Sequence, residues 1–305
     1  MTGTTRVLVS GASLSPARER LVREVVADLA KVEGVLAVAL GGSHARGRAR
    51  PDSDVDLGIL YAESAPFSIE ALRGCAARWS DASDAVVTGF YEWGPWVNGG
   101  AWLTCRGQRV DLLYRSVEHL ERALADGEAG RHAVHHGQQP PFGFWSGTAL
   151  GELAVGVPHH DPSGRLAELR ARVARYPEGL RRAVVADGLW AVEFGLRAFA
   201  PKYAAAGDVY GTAGCLTRFA HQLVLVLFAL NRAWLVNDKT ALAEVAGFDA
   251  APERFGERVS AVLARPGATP GELGASVAGL AGLFRETRAL AGGLYAPRFA
   301  LPGEV

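Results

Sequence analysis

The stretch GGSHARGRARPDSDVDLGIL, residues 41–60, joins a glycine-serine turn to two aspartates spaced one residue apart. The preceding residues 34–40, GVLAVAL, are apolar and rich in β-branched side chains, which predicts a buried strand that ends at Gly41 and Gly42. Glycine lets the backbone take unusual dihedral angles and lets another group approach closely, and Ser43 is a favourable residue at the start of a helical turn. Exposed backbone N–H groups at such a start bind phosphate oxygens. The turn therefore predicts a phosphate site with a hydroxyl beside it.

Two aspartates open the next predicted strand, DVDLGILY at residues 54–61. Because alternate residues of a strand face the same side, Asp54 and Asp56 direct both carboxylates to one face. A third candidate, Asp111, lies in QRVDLLYR at residues 108–115, which also has a strand pattern. The sequence therefore predicts three acidic side chains on neighbouring strands, close to the phosphate site.

Three neighbouring carboxylates repel one another and lower stability unless a positive charge lies among them. Magnesium prefers hard oxygen ligands and completes its coordination with water and substrate phosphates. We therefore predict that Asp54, Asp56 and Asp111 bind Mg²⁺ in a two-metal arrangement, with one ion on a triphosphate and the other on an attacking hydroxyl. Asp111 then completes the second metal site, acts as the general base, or does both.

The composition limits the class of partner. At 305 residues the chain is long enough for two domains, each with its own core. Lysine plus arginine equals aspartate plus glutamate at 32 each, so no overall basic field favours a long polyanion, and a small substrate is expected. Three widely spaced cysteines, an odd number without a ligand pattern, predict buried thiols rather than disulfides or a zinc site.

Two apolar segments bear on localisation. Residues 1–20 lack the basic start, long apolar core and small-residue cleavage site of a secretory signal, which predicts a cytoplasmic protein. The most apolar run, LVLVLFAL at residues 223–230, is too short to cross a bilayer and predicts a core helix. We therefore expect no membrane partner.

The periodicity of the apolar residues divides the chain into a mixed part and a helical part. Helix patterns cover residues 15–32 and 68–80, and strand patterns cover residues 85–93, 100–107 and 108–115, the last two arranged as a hairpin. Strand patterns stop after Ser116, and helical periodicity continues to about residue 293 beyond a connection rich in Pro, Gly and His. We predict an α+β protein with a mixed-sheet domain at 1–125, a connecting segment at 126–160 and an all-helical domain at 161–305.

The motifs GGSHARG, DSDVDL and VDLLY together resemble the DNA polymerase β-type nucleotidyltransferase superfamily. The resemblance covers roughly the first 115 residues. It implies a mixed sheet with helices on one side, a nucleoside triphosphate bound at Gly41, Gly42 and Ser43, and transfer of a nucleoside monophosphate with release of pyrophosphate. Asp54 and Asp56 then stand at the family's Asp-x-Asp positions, and Asp111 at its third carboxylate.

The following helical domain is similar in architecture to the antibiotic nucleotidyltransferases that act on aminoglycosides and lincosamides. This similarity implies a helical domain that closes the active-site cleft, with Lys239 reaching the β- and γ-phosphates; the alternative for Lys239 is a cation near a helix end. Of the basic residues between the half-motifs, Arg46 is assigned to the triphosphate, while Arg48 and Arg50 are expected on a solvated loop. The architecture does not fix the acceptor.

The segment YEWGPWVNGGAW, residues 91–102, concentrates aromatic side chains around glycines and a proline. These side chains either stack on a base or on the ring of an acceptor, or anchor the loop in the core. Glu92, in the same segment, is an alternative general base on the acceptor side.

Three functions remain open. The leading one is Mg²⁺-dependent transfer of a nucleoside monophosphate, most simply AMP from ATP, to a hydroxyl of a small molecule such as an antibiotic, by a monomer or homodimer. The same chemistry directed at a protein or a tRNA is the second, and a positive stripe beside the cleft would favour tRNA. A non-catalytic nucleotide-binding module is the third, although such a module does not need three costly carboxylates.

Overall fold

The computed structural model describes residues 14–81 and 85–300, which form two compact units. The sheet unit holds the described residues of 7–127 and 133–175, and the helical unit holds those of 128–132 and 176–300. A mixed sheet followed by helices confirms the predicted α+β class. The domain boundaries at residues 125 and 160 stay a prediction, since the compact units divide the chain at other positions.

A mixed sheet of six strands forms the centre of the sheet unit. The strands along the chain are β1 Ala37–Leu40, β2 Val55–Tyr61, β3 Val86–Val87, β4 Gly100–Cys105, β5 Gln108–Ser116, β6 Val134–His135, β7 Phe144–Trp145 and β8 Val157–His160. The six-stranded sheet has the order β3-β4-β5-β2-β1-β8, and β6 pairs with β7 in a separate ladder. The neighbours β2 and β5 are parallel, whereas the other pairs are antiparallel. Because β2 and β5 are parallel and adjacent, the first residues of these two strands lie at the same end of the sheet.

The helices of the sheet unit are α1 Pro16–Leu29, α2 Gly42–Ala45, α3 Ile69–Trp79, α4 Val117–Glu128, α5 Ser146–Val155 and α6 Arg165–Val173. Apolar residues of α1 and α3 share one core cluster with alternate residues of the central strands, including Leu57 of β2 and Leu112 of β5. Residues between these core positions, such as Asp56 and Asp111, are only half-buried. Since the period of a strand is two, they face the side opposite α1 and α3.

The local signals at the helix starts and at the hairpin are confirmed. The hydroxyl of Ser15 accepts a hydrogen bond from a backbone N–H in the first turn of α1, and Ser68 caps α3 in the same way. Arg106 and Gly107, both with positive φ, join β4 to β5. A two-residue turn of this kind matches the twist of antiparallel strands.

Two strand predictions are wrong. Over residues 85–93 only Val86–Val87 pairs with a neighbour, because the glycines and aromatic residues that follow form a loop. Strand β8 lies well beyond Ser116, where no strand was expected, and its Val157 pairs with Leu40 of β1. The sequence VPHH has no alternation, and its proline is tolerated because β8 lies at the sheet edge, so tertiary pairing rather than local pattern creates this strand.

The helical unit contains α7 Glu178–Ala198, α8 Ala200–Ala205, α9 Val209–Leu230, α10 Ala241–Val245, α11 Phe255–Ala264 and α12 Pro270–Ala291, with short 3₁₀ helices at Asp238–Thr240 and Gly292–Leu294. By length and composition α9 is the one helix of the described residues that is apolar enough to cross a membrane. All residues from Leu223 to Leu230 are buried, and α9 packs against α7 and α12, so it is the predicted core helix. The cysteines are free thiols; Cys75 and Cys105 are buried, and Cys215 is half-buried.

Candidate active site

A row of residues from neighbouring strands crosses the sheet face opposite α1 and α3. Asp56 of β2 and Asp111 of β5 are direct partners in the parallel ladder, and Asp111 also pairs with Trp102 of β4. On the other side of Asp56, the N–H of Gly41 donates a hydrogen bond of 2.8 Å to the Asp56 carbonyl. Paired residues direct their side chains to the same face, with β-carbons about 5 Å apart. The row therefore runs Trp102, Asp111, Asp56, Gly41 and brings two predicted carboxylates together beside the glycine turn.

The glycine turn packs directly on one of these carboxylates. Gly42, the first residue of α2, has a φ of 56°. A β-carbon on Gly42 would lie 1.7 Å from Oδ2 of Asp56, so the carboxylate occupies the space that any other residue would need. A β-carbon on Gly41 would lie 3.7 Å from the Asp56 β-carbon, which is an ordinary contact. The close approach predicted for the glycine pair thus belongs to Gly42, while Ser43 lies half-buried in the first turn of α2.

Asp54 immediately precedes β2 instead of opening it, and it is paired with a cation. Its Oδ1 lies 2.5 Å from Nε of Arg109 on β5. Arg109 is two residues before Asp111 and therefore faces the same side of the sheet. Its guanidinium offsets part of the repulsion among the carboxylates. The sequence analysis missed Arg109, because its contact with Asp54 depends on the register between β2 and β5.

The predicted basic residues lie in different environments. Arg46, at the end of α2, is only 4% exposed, whereas Arg48 and Arg50 are exposed as expected. Lys239 belongs to the helical unit, where it is exposed in the 3₁₀ helix Asp238–Thr240. Burial raises the pKa of the neighbouring Asp238 carboxyl above its ordinary value. The triphosphate assignments of Arg46 and Lys239 stay predictions.

The donor set suits a metal that is shared with substrate rather than a closed protein site. Within residues 14–81 and 85–300, no group of three or more His, Cys, Asp or Glu side chains is arranged to hold a metal ion. The paired Asp56 and Asp111 place two carboxylates side by side on one face, whereas Asp54 is engaged by Arg109. Magnesium commonly takes one or two carboxylates and fills its other positions with water and phosphates. The residues therefore fit a magnesium ion that binds together with a nucleotide.

The aromatic residues of the segment 91–102 divide between structural contacts and an exposed wall. Trp96 packs against His119 and Phe144, with ring centroids 4.3 and 5.5 Å away. In contrast, Trp93 and Trp102 stack on each other at 4.8 Å, and Trp102 is 52% exposed. Trp96 therefore anchors the loop, whereas stacking on a base or an acceptor stays a prediction for Trp93 and Trp102. Glu92 is exposed in the same loop and is not part of the strand row.

A buried glutamine that the sequence analysis missed holds this loop in place. The amide nitrogen of Gln138 donates hydrogen bonds to the carbonyls of Trp93 and Val97, at 2.7 and 3.1 Å. Its oxygen accepts a bond of 2.9 Å from the N–H of Trp96. A lone glutamine in a Pro/Gly-rich connection gives no sequence signal for these contacts, because its partners lie about forty residues earlier.

Two family models match parts of the chain. Residues 19–92 match the nucleotidyltransferase domain family, and residues 145–239 match a domain of unknown function, DUF4037. No curated protein matches the chain. Among solved structures, a nucleotidyltransferase-like protein from Exiguobacterium sibiricum 255-15 is 12% identical, with a TM-score of 0.47, and the match covers 91% of this chain and 78% of that one.

The family match includes the glycine turn, Asp54 and Asp56, and it defines the class: the sheet unit carries a nucleotidyltransferase domain, which indicates nucleotidyltransferase activity. The match over residues 19–92 supports the resemblance to the DNA polymerase β-type nucleotidyltransferase superfamily that the glycine-serine turn and the Asp-x-Asp strand carry. Asp111 lies outside the matched residues, so its assignment rests on its register with Asp56.

Proposed function

We propose that this protein transfers a nucleoside monophosphate, most simply AMP from ATP, to a hydroxyl of a small molecule in a Mg²⁺-dependent reaction that releases pyrophosphate. The observation that carries this proposal is the register of Asp56 with Asp111, together with the Gly42 turn that packs on the Asp56 carboxylate. Metal-dependent transfer of a nucleoside monophosphate requires acidic groups that hold the metal and groups that bind phosphate within a few ångströms of each other.

Each group has a defined role in this proposal. Bound magnesium neutralises phosphate charge and lowers the pKa of the attacking hydroxyl. Backbone N–H groups at the Gly42-Ser43 turn hold the triphosphate, and Asp54 and Asp56 would hold the magnesium ion that binds together with it. The hydroxyl oxygen of the acceptor attacks the α-phosphorus, the bond to the β-phosphate oxygen breaks, and pyrophosphate leaves. Asp111 accepts the proton of the hydroxyl.

The balance of charges supports a small acceptor. The net charge is zero, so the chain has no overall field that would attract a long nucleic acid. An antibiotic such as an aminoglycoside or a lincosamide is one candidate acceptor, proposed from the two-domain resemblance alone.

The first test replaces the two carboxylates of the Asp-x-Asp motif, Asp54 and Asp56. The protein is incubated with Mg²⁺, ATP or another nucleoside triphosphate, and hydroxyl compounds that include aminoglycosides and lincosamides, and pyrophosphate release is followed. Asp54→Asn and Asp56→Asn should each reduce release by at least ~10²-fold, because loss of a charge contact made to the transition state has that effect. Asp52→Asn, at an exposed position two residues before Asp54, is the matched control and should retain activity. A loss below about tenfold in both variants contradicts the proposed roles.

A further inference from the structure

The order of the residues in the row Trp102, Asp111, Asp56 and Gly41 indicates which end of the row lies next to the acceptor. The glycine turn lies beyond Asp56, and Trp102 lies beyond Asp111, at the opposite end of the row. Neighbouring strands are about 4.8 Å apart, so the turn and Trp102 are separated by roughly 14 Å across three strand spacings. This distance leaves room for a phosphate group at the centre and for a different ligand at each end.

The chemistry assigns one ligand to each end. In-line displacement at phosphorus places the attacking and leaving oxygens on opposite sides of the transferred group. With the triphosphate at the glycine turn, the attacking hydroxyl approaches from the Asp111 side. The acceptor then lies against whatever borders Asp111 on β4, and that residue is Trp102.

The surface at this end is apolar and aromatic. Trp102 is 52% exposed, and Val86, its partner on β3, is 46% exposed. The ring of Trp93 covers Gly100, where a β-carbon would lie 2.8 Å from the indole, and it stacks on Trp102 with 22° between the ring planes. Exposed apolar surface of this kind is characteristic of ligand sites. We call Val86, Trp93 and Trp102 the aromatic wall.

Hydrogen bonds from a buried side chain fix the loop that contributes Trp93 to the aromatic wall. Gln138, which is 8% exposed, forms three hydrogen bonds with the loop that carries Trp93. Gly94 leaves space for this glutamine, since a β-carbon there would lie 2.4 Å from Cδ of Gln138. A stacking surface fixed in this way presents its face without loss of side-chain freedom on binding.

We infer that the aromatic wall binds the acceptor, and that the acceptor carries a planar aromatic ring that stacks on Trp102 while its hydroxyl meets Asp111. This inference rests on the proposed function and narrows the acceptor class, and it disfavours aminoglycosides and lincosamides because neither carries an aromatic ring. The alternative ligand for the wall is the base of the nucleoside triphosphate, and the experiment separates the two.

The test uses hydroxyl compounds in matched pairs that differ in an aromatic ring: 4-nitrophenyl and methyl glycosides, phenylalaninol and alaninol, and adenosine and ribose. Wild type should use the ring-bearing members with at least about tenfold higher kcat/KM, the value expected for one stacked ring. Trp102→Ala should lose this preference through a higher acceptor KM, and Trp102→Phe should keep most of it. Tyr210→Ala, at a 92% exposed aromatic residue of the helical unit, is the control and should behave as wild type.

Nucleotide binding is measured in parallel by calorimetry with Mg²⁺ and a non-hydrolysable ATP analogue. Affinity in Trp102→Ala within about twofold of wild type supports the acceptor assignment, whereas loss of nucleotide affinity assigns the wall to the base and overturns it. Transfer without ring preference, or a preference unchanged in Trp102→Ala, overturns the inference but leaves the proposed function intact. If wild type releases no pyrophosphate with any compound or with water, the proposed function itself fails.

Discussion

Gly42 and Asp56 act as one structural unit, because the carboxylate fills the space that a side chain at residue 42 would need. Gly42→Ala should therefore displace the carboxylate and strain a backbone with positive φ. We expect at least about tenfold weaker binding of a non-hydrolysable triphosphate with Mg²⁺, measured by calorimetry. Gly41→Ala is the matched control one residue away, and its β-carbon has room, so affinity should stay within about twofold. Equal affinities in the two folded variants would place the phosphate site elsewhere.

Asp111 differs from Asp56 in its position along the row, between Asp56 and the aromatic wall. A carboxylate that takes the proton of the acceptor acts mainly in the transition state. Asp111→Asn should therefore lower kcat by ~10²-fold or more, while the affinity for triphosphate and Mg²⁺ falls much less than in Asp56→Asn. Steady-state kinetics and calorimetry on the same preparations measure both quantities. If affinity falls as far as in Asp56→Asn, the acids form one shared metal cluster, and Glu92 becomes the first alternative base.

The local spacing predicted the three aspartates as candidate site residues, but it did not predict which residues lie next to them. Asp54 and Asp56 share a face because side chains alternate along a strand with a period of two, and a spacing of two residues can be read directly from the sequence. The contact of Asp54 with Arg109 and the position of Trp102 beside Asp111 depend on the register between strands that are far apart in the chain. Register is set by burial across the whole sheet, so residues brought in by pairing were not predictable.

The end of α1 is tied to the end of α3 by a single carboxylate. Asp28 accepts hydrogen bonds from Lys31, Trp79 and Arg78, at 2.8, 2.9 and 3.3 Å. These bonds, with those from Lys31 and Trp79 foremost, lower the pKa of Asp28 from its ordinary value of 3.8 to about 2. The two helices that cover the core face are therefore linked by a contact that requires the charged carboxylate.

A carboxyl group whose pKa is lower in the folded state than in the unfolded state stabilises the protein at pH values above its unfolded pKa. This stabilisation is lost as the pH falls through the folded pKa. The difference in unfolding free energy between wild type and Asp28→Asn should thus be positive at pH 7 and shrink between pH about 4 and about 2. Urea unfolding at several pH values measures it. Glu33→Gln, at an exposed carboxylate just after α1, is the control. A difference in unfolding free energy that does not depend on pH would show that the charge of Asp28 does not stabilise the fold.

Elements with a local start or stop signal were predictable, and elements made by pairing were not. Ser15 and Ser68 cap their helices as expected, and the β4–β5 hairpin follows from its turn. Strand β8 has no such signal, because its four residues become a strand only against the free edge of β1. The same holds for the loop after β3, where glycines and the contacts of Gln138 replace strand pairing.

Over the whole chain, composition and periodicity predicted the class of fold, and the order of the motifs predicted the nucleotidyltransferase domain that residues 19–92 match. The apolar residues 223–230 became the buried end of α9, as the flanking polar residues predicted. The match to a nucleotidyltransferase domain covers residues 19–92, so the chemistry is assigned to the sheet unit. In the proposed function the acceptor stacks on Trp102, which lies outside residues 19–92, so the motif residues do not specify the acceptor.

Nucleotidyl transfer is tested most directly by following the two ends of the triphosphate separately. ATP labelled at the α-phosphate and ATP labelled at the γ-phosphate are each incubated with the protein, Mg²⁺ and the hydroxyl compounds described above, with Asp56→Asn as the inactive control. The account predicts the α-label on the acceptor and the γ-label in pyrophosphate, both absent with Asp56→Asn. The γ-label on the acceptor, or neither label released from any nucleoside triphosphate tested, would contradict it.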